Sequence, residues 1–360
     1  MAQAPHLLFA PRGGHDAVGE ALRTLILAKA ARRRWPDATI EFVARPLPVF
    51  EAEGFRLHPV EAGISKDQAA AVAVLERTRP GVLVLDNHGR TPILARASGL
   101  GVRTVFIADH EVFFDRLFRS RRLRFIDQLW IVQRRFGSRT HGLSWHRRLR
   151  LALLRGPSVH TFDTILPELI PGERADVRQE LGLGSGPYVL FTAGGGGYRH
   201  GGRPVSDVFA EAARHVHEAT RVPCVVVLGP LHPEPAPEIP GVVVVKSLVP
   251  EAMIELISGA SIVACGGGST SSQAMALGRV CVVAPAGGPD QPVRIEHCAA
   301  EGLVEASPLE AKAIAERVCG LVDDAPRCAA IRARIEACDF RNGVAAALDQ
   351  LALLSGHGTG

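Results

Sequence analysis

Short apolar runs alternate along the first half of the chain with longer stretches in which apolar residues recur at helical spacing. The runs HLLFA, TIEFVA, GVLVLD and TVFIAD are rich in Val, Ile, Leu and Phe, and helical stretches lie between them at about 17–34 and 66–79. Strands that alternate with helices in this way form parallel sheets. This half therefore predicts a series of βαβ units.

The same pattern recurs after a Pro- and Gly-rich stretch at 167–173. The apolar runs are YVLFTA, PCVVVLG, VVVVKS, SIVACG and VCVVAP, and helices are predicted at about 205–220, 250–258 and 271–277. We therefore predict an α/β protein with two doubly wound domains joined near residue 170. Ligands of such sheets bind beyond the carboxyl ends of the strands.

Composition narrows the class of protein. The 360 residues are 47% hydrophobic and 22% charged, which is typical of a folded globular chain. No apolar run approaches the roughly 18 residues of a membrane span, and the start MAQAPHLLFAPRGGH lacks the basic region of a signal peptide. The seven cysteines never form a CxxC, so neither a disulfide framework nor a zinc site is indicated. We expect a cytoplasmic protein.

Charge is unevenly distributed. The segment 116–155 contains twelve arginines and one acid, Asp127, so it carries +11 in a chain whose net charge is +4. Cationic segments interleaved with Leu, Phe, Ile and Trp bind anionic membrane surfaces or phosphate-bearing ligands, although an ordinary solvated surface is the alternative. We expect the apolar residues to bury one face while the arginines stay outside. Nucleic acid is not expected, because aromatic residues make up only 5%.

Two glycine runs follow predicted strands in the second half. SIVACG runs into Gly266–Gly268, four hydroxyl residues and a helix, and YVLFTA runs into AGGGGYRHGG at 193–202. Glycines let the backbone approach a ligand closely, and a helix start offers unpaired N–H groups, which together suit a phosphate. Each run alone could be an ordinary turn. Together they predict a diphosphate site at the mouth of the second sheet.

These residues also carry a family resemblance. The stretch from CGGGSTSSQ through ALGRV to VVAPAGGPDQ resembles the donor-binding signature of GT-B glycosyltransferases. The start, HLLFAPRGGH followed by RRRWPDA and TIEFVA, is similar to MurG-type N-acetylglucosaminyltransferases and to the nucleotide-sugar hydrolase of the pseudaminic acid pathway. The similar stretches cover about 1–45 and 185–305. The resemblance implies a GT-B fold, with two Rossmann-like doubly wound lobes facing a central cleft.

The resemblance also divides the chain by role. It implies an acceptor-side domain over residues 1–170 and a domain that binds a nucleotide-sugar donor over 171–340. A C-terminal helix over 341–354 could return to the N-terminal domain, and residues 355–360 form a tail.

The donor implied by the resemblance is a nucleoside-diphosphate sugar, with a UDP-linked sugar as the first expectation and no further cofactor or metal. By position, the diphosphate would lie against Gly195, Gly196, Gly267, Gly268, Ser269 and Thr270, the base and ribose against Leu248, Val249, Met253 and Gln273, and the sugar against Asp290 and Gln291. Gln273 stands where the family usually has Glu. An amide binds a hydroxyl without the strength of a charged acceptor, so the resemblance leaves donor affinity and donor identity open.

Sugar transfer needs a base that takes a proton from the acceptor hydroxyl, and histidine suits that task near neutral pH. His15, in the stretch GGHD, stands where both resembled families place a catalytic or substrate-contacting histidine. A helix-capping role is the alternative. Asp86 or Asp109, each at the carboxyl end of an apolar run, could orient the imidazole, and the sequence does not choose between them.

The resemblance thus implies an inverting, metal-independent glycosyltransferase of the hexosyltransferase type. A nucleotide-sugar hydrolase and a non-catalytic nucleotide-sugar-binding protein are the alternatives. The acceptor is unknown and could be anionic or lipid-linked, and residues 116–155 could make peripheral contact with the inner face of the membrane.

Overall fold

A computed structural model describes most of the chain and separates it into two compact units. The described residues are 4–12, 18–47, 49–50, 53–61, 63–64, 66–109, 117–118, 121–132, 144–153, 156–172, 176–233 and 235–356. The N-terminal unit contains Met1–Gly14, Glu20–Ile165 and the C-terminal segment Asn342–Gly360, whereas the C-terminal unit contains His15–Gly19 and Leu166–Arg341.

Strands and helices alternate through both units. The strands are β1 (His6–Pro11), β2 (Thr39–Ala44), β3 (Arg56–Pro59), β4 (Val82–Asp86), β5 (Arg103–Ala108), β6 (Gln128–Val132), β7 (Ser158–Phe162), β8 (Val189–Thr192), β9 (Arg199–His200), β10 (Arg203–Pro204), β11 (Cys224–Val227), β12 (Val242–Val245), β13 (Ile262–Gly266), β14 (Val280–Ala284) and β15 (Glu305–Ala306). The α-helices are α1 (Gly19–Arg34), α2 (Gln68–Thr78), α3 (Thr91–Gly99), α4 (Trp145–Leu153), α5 (Val177–Glu180), α6 (Val205–Thr220), α7 (Pro250–Gly259), α8 (Ser269–Ala276), α9 (Gln291–Ala300), α10 (Ala311–Val322), α11 (Ala325–Ala337) and α12 (Val344–Leu354), with a short 3₁₀ helix at Arg121–Phe125.

The N-terminal unit is built on a parallel sheet of seven strands in the order β3-β2-β1-β4-β5-β6-β7. Both faces are covered, since Leu7 and Phe9 of β1 enter one core cluster and Leu8 and Ala10 enter the other. This explains why the strands read as continuous apolar runs rather than alternating ones. The helix α12 belongs to this unit, because its Leu351 is part of the first of these clusters.

The C-terminal unit is built on a parallel sheet of six strands in the order β12-β11-β8-β13-β14-β15, beside a two-stranded antiparallel pair, β9 and β10. The chain passes from β8 to β11 and β12 on one side, and from β13 to β14 and β15 on the other. The order therefore reverses between β8 and β13. In doubly wound sheets this reversal is where ligands bind.

The predicted doubly wound α/β class is confirmed in both units. The helix predicted at 271–277 begins two residues earlier, at Ser269, which puts Ser269 and Thr270 into its first turn. One expectation is wrong: on α4 the large apolar side chains Trp145 and Leu153 are exposed rather than buried. None of the helices among the described residues is long and apolar enough to span a bilayer.

Candidate functional site

The two predicted glycine runs meet at the carboxyl edge of the C-terminal sheet. β8 and β13 are paired neighbours, so the loops that follow them leave the sheet side by side. In the first loop, the N–H of Gly194 donates to Oγ1 of Thr192 at 3.1 Å. A Cβ placed on Gly194 would lie 3.9 Å from Oγ1 of Thr270, at the start of α8. The sheet order thus brings together two runs that are more than sixty residues apart.

The first turn of α8 is open to an anion. Its N-cap is Gly268, which has no side chain with which to cap the helix. The hydroxyls of Ser271 and Ser272 donate back to the carbonyl oxygens of Gly268 and Ser269, at 2.9 and 2.8 Å. Ser269 and Thr270 are half-buried, and their hydroxyls form no hydrogen bond with a described residue. Two hydroxyls and the first N–H groups therefore remain for a ligand such as a phosphate.

The side chain of Gln291, at the start of α9, lies against the same loop. It is only 8% exposed, and its Nε2 is 3.8 Å from the position that a Cβ on Gly268 would take. Its Oε1 is buried and accepts no hydrogen bond from any described residue. Buried acceptors are normally satisfied, so this oxygen suits a ligand hydroxyl. The neighbouring Asp290 carboxylate is held at 2.6 Å by Nη2 of Arg294, which is buried.

Close packing joins the loops that surround this edge. Gly196 and Gly229 adopt left-handed φ angles of 80° and 101°, and a Cβ on either would overlap the backbone of the other loop. A Cβ on Gly287 would overlap the ring of Tyr198. The sequence alone did not single out Gly229 or Tyr198, although Gly229 follows a strand just as the predicted glycines do.

The remaining predicted donor residues lie on α8, on α7, before α7 and in the first glycine loop. Leu248 and Val249 follow the edge strand β12, and the N–H of Met253 donates to the carbonyl of Val249 within the first turn of α7. The structure brings α7 against α8, but it gives no contact between these three apolar residues and the loops. Gln273 lies on α8 one turn beyond Ser269. The carbonyl of Gly195 accepts a hydrogen bond from the N–H of Leu231.

At the carboxyl edge of the N-terminal sheet lies a cluster of charged side chains around Arg23. This arginine projects from α1 and is buried. It holds Asp86 by two hydrogen bonds, from Nε to Oδ2 at 2.7 Å and from Nη2 to Oδ1 at 2.6 Å. The same guanidinium reaches Oδ2 of Asp109 from Nη1 and Nη2, both at 3.0 Å. The two predicted candidate carboxylates therefore share one arginine, which the sequence did not single out.

Asp109 is also held by Asn87, which follows β4 in a left-handed conformation with φ 52°. The amide Nδ2 of Asn87 donates to Oδ1 of Asp109 at 2.7 Å, and the N–H of Asp109 donates to Oδ1 of Asn87 at 3.2 Å. The Asp86 side chain is completely buried, whereas that of Asp109 is 15% exposed. Of the two candidates, Asp109 is the one whose carboxylate reaches the surface.

This cluster holds more acid than base, because Glu20 also lies beside Asn87, whose Nδ2 donates to its Oε1 at 3.3 Å. Burial raises the pKa of Asp86 to about 7 in spite of the Arg23 guanidinium. Burial and the Asp109 charge likewise raise the pKa of Glu20. Ionising all three carboxyl groups around one guanidinium is unfavourable, because the buried negative charges repel one another. The cluster therefore keeps a proton at mildly acidic pH.

The other side of the same edge is basic. His88 is buried, and its pKa is lowered to about 4 by that burial and then by Arg90, Arg12 and Arg122. Arg122 donates from Nη1 to the carbonyl of Gly89 at 2.8 Å. Carboxylates and arginines therefore occupy adjacent positions along this edge.

His15 and its neighbour Asp16, in the stretch between β1 and α1, lie outside the described residues. Within the described part of the chain, no group of three or more His, Cys, Asp and Glu side chains could hold a metal ion.

No family model matches the sequence, and no curated protein matches it. Solved structures do match the fold. UGT2 of Phytolacca americana, complexed with UDP-2-fluoro-glucose and pterostilbene, matches with a TM-score of 0.65 and 12% identity over 98% of this chain and 100% of the other. MurG of Acinetobacter baumannii matches with a TM-score of 0.59 and 13% identity over 97% and 99%.

A protein of Listeria monocytogenes provisionally named UDP-N-acetylglucosamine 2-epimerase matches with a TM-score of 0.60 and 12% identity, over 92% of this chain and 91% of the other. One fold thus serves both transferases and a protein named as an epimerase, so the likeness does not decide the reaction. What it establishes is the architecture that the sequence predicted: this chain has the GT-B fold of the glycosyltransferases, MurG among them.

Proposed function

We propose that this chain is a glycosyltransferase that moves a sugar from a nucleoside-diphosphate donor, UDP-linked in the first instance, to an acceptor hydroxyl in the cytoplasm. The observation that carries the proposal is the open first turn of α8, with the hydroxyls of Ser269 and Thr270 beside Gly194 and the buried Oε1 of Gln291. This group of donors and acceptors fits a diphosphate with a sugar attached. Neighbours that bind such donors, such as UGT2 with its UDP-sugar, support it.

In this proposal the donor is bound mainly by backbone groups. The N–H groups of Ser269 and Thr270 bind the phosphates, and Gly195 and Gly268 let the ligand approach closely. Gly196 and Gly267 act indirectly, because their missing side chains let the surrounding loops pack. Asp290 and Gln291 accept hydrogen bonds from the sugar hydroxyls, while Gln273 binds the ribose and Leu248, Val249 and Met253 line the base. The N-terminus of α8, where the helix dipole is positive, stabilises the negative charge of the leaving diphosphate. The proposed mechanism therefore uses no metal.

In this proposal His15 is the base. His15 takes the proton of the acceptor hydroxyl, the oxygen attacks the anomeric carbon, and the bond to the diphosphate breaks, which inverts that carbon. Asp109 is the better candidate for the carboxylate that orients His15. Both carboxylates accept hydrogen bonds on each oxygen, but Asp86 is completely buried whereas Asp109 is partly exposed.

The first experiment is calorimetry with UDP, dTDP and GDP, together with mass spectrometry of any nucleotide that co-purifies. The second follows sugar release from the bound donor with and without candidate acceptors. Binding of a nucleoside diphosphate and acceptor-dependent transfer are expected. Free sugar formed at a rate independent of acceptor would indicate a hydrolase on the same fold. Tight binding without turnover would indicate a binding protein, a role that the neutral Gln273 favours. Binding of none of the nucleotides would disprove the proposal.

A further inference from the structure

The helix α4 carries a stripe of exposed apolar side chains. Trp145, Leu149 and Leu153 are 66%, 50% and 76% exposed. They stand four residues apart, which places them on one face of the helix. Exposed large apolar residues are few in the described part of the chain, and three of the eight lie on this single helix of nine residues.

The helix is held to its own domain by the opposite face. Arg147 and Leu151 lie two positions on from Trp145 and Leu149, or about 200° round the helix axis, and both are half-buried. Leu151 packs against a core cluster of the N-terminal unit, and the guanidinium of Arg147 lies 5.8 Å from the centre of the Phe118 ring. The apolar stripe therefore points away from the protein rather than into it.

The charged residues beside the apolar stripe indicate the kind of surface that it would bind. Arg148 and Arg150 flank it on α4 and are exposed. No acidic residue occurs in the sequence between Asp127 and Asp163, so this stretch is strongly cationic. A helix with an apolar face bordered by cationic side chains lies in the headgroup region of a bilayer, with its apolar face inserted and its arginines on the lipid phosphates.

We propose that α4 is a membrane-docking helix that binds the surface of a bilayer containing anionic lipid. Trp145, Leu149 and Leu153 insert below the headgroups, and Arg148 and Arg150 pair with lipid phosphates. The docked N-terminal unit would meet an acceptor held in that bilayer. The docking itself does not depend on the proposed transfer reaction.

The test is sedimentation of the full chain with phosphatidylcholine vesicles, with and without phosphatidylglycerol, at low and high salt. Binding is expected only to the anionic vesicles and should weaken as salt rises, because exposed charges are screened within about 8 Å at physiological ionic strength. Replacing Trp145, Leu149 and Leu153 together by Ser should weaken it at least about tenfold, or about 1.4 kcal/mol. So should replacing Arg148 and Arg150 by Gln.

Matched controls exist at other exposed sites. Leu353→Ser with Val293→Ser removes equally exposed apolar groups elsewhere, and Arg317→Gln with Arg334→Gln removes exposed charge from the C-terminal unit; neither pair should change binding. Circular dichroism verifies folding, and calorimetry with UDP shows separately whether the donor site is intact. If the wild type does not pellet with anionic vesicles at low salt, or if the Ser variant pellets as well as the wild type, the proposal is wrong.

Fluorescence gives a second readout, since the chain has three tryptophans and only Trp145 is exposed. Lipids brominated in the acyl chains should quench the wild type on binding and should not quench a bound Trp145→Phe variant. Equal quenching in the two proteins would disprove the proposed insertion of Trp145 into the bilayer. Self-association that the Ser variant abolishes, without vesicle binding by the wild type, would show instead that the stripe joins two copies of the chain.

Discussion

The carboxyl edges of the two parallel sheets present opposite kinds of chemistry. In the C-terminal unit the edge is made of glycines, hydroxyls and the open start of α8, with the ion pair of Asp290 and Arg294 beside them. In the N-terminal unit the edge is made of charged side chains, with Arg23 between Asp86 and Asp109 on one side and arginines around His88 on the other. One architecture therefore offers backbone dipoles at one edge and ionised side chains at the other.

The difference has a physical reason. Backbone N–H groups bind an anion without a titrating side chain, so an edge made of them binds a diphosphate over a wide range of pH. A charged cluster can exchange protons, but burying it costs free energy unless every charge is paired. The edge of the C-terminal sheet therefore suits recognition of a diphosphate, and the edge of the N-terminal sheet suits proton transfer. Variants at each edge test this division.

Loss of the base should have the largest effect. We expect His15→Ala to lower turnover by about 10² to 10⁴, the usual range for a general base, while affinity for the nucleotide persists because His15 is not among the residues proposed to bind the donor. Steady-state kinetics and calorimetry measure the two quantities. Asp109→Asn should also lower turnover, and by more than Asp86→Asn does. Near-normal turnover of the His15 variant would remove this histidine from the mechanism.

Breaking the charged cluster should destabilise the N-terminal unit. Arg23→Met leaves Asp86 buried without its partner, and removal of one member of a buried ion pair typically costs about 3–5 kcal/mol. Urea denaturation measures the loss in the free energy of unfolding. Arg103→Met is the matched control, because its guanidinium is 61% exposed and pairs with Asp127 at 2.9 Å, so its loss should cost at most about 1 kcal/mol. Equal losses in the two variants would contradict the buried role of Arg23.

The contribution of His88, on the basic side of the N-terminal edge, to the free energy of unfolding should depend on pH. The pKa of His88 is lowered from 6.5 to about 4 in the folded protein, so its contribution to stability is present above pH 6.5 and is lost as the pH falls toward 4. Asp86 has the opposite sign: its pKa is raised from 3.8 to about 7, so its contribution is present below pH 3.8 and is lost as the pH rises through 7. The two trends partly cancel in the wild type.

His88→Gln should remove one of these trends. Each unit of pKa difference corresponds to about 1.4 kcal/mol, so relative to the wild type the variant should gain roughly 2.5 kcal/mol in its free energy of unfolding as the pH falls from 7.5 to 4.5. Denaturation curves at the two pH values measure the change. His200→Gln, at an exposed site, is the control. A constant difference between wild type and variant across this range would show that the imidazole does not stay neutral in the fold.

The smallest effect is expected for nucleotide binding at the carboxyl edge of the C-terminal sheet, because many backbone groups there contribute to binding the ligand. Gly268→Val with Thr270→Val should weaken nucleotide binding at least about tenfold, or about 1.4 kcal/mol, because one change blocks close approach and the other removes a hydroxyl. Gly99→Val with Thr91→Val makes the same replacements at exposed positions of the N-terminal unit and should leave binding unchanged. Unchanged affinity in the folded first variant would place the donor site elsewhere.

The sequence predicted the residues at the carboxyl edge of the C-terminal sheet better than the charged residues at the edge of the N-terminal sheet. Glycine runs after apolar runs are a local signal, and the parallel order of β8 and β13 then brings them together. Arg23 gave no such signal, because it is one of several arginines in a helical stretch and its partners are 63 and 86 positions away. The choice between Asp86 and Asp109 stayed open for the same reason, since both follow apolar runs and only their burial separates them.

The sequence by itself determined the alternation of strands and helices, the two doubly wound units and the glycine loops, because these depend on the spacing of apolar residues and on backbone freedom within a few neighbouring positions. Only the tertiary structure decided that Arg23 holds two carboxylates, that Gln291 lies against Gly268, and that Trp145 faces outward on α4. Each of these depends on which face of a helix packs against the sheet, and that is settled by contacts between residues distant in the chain.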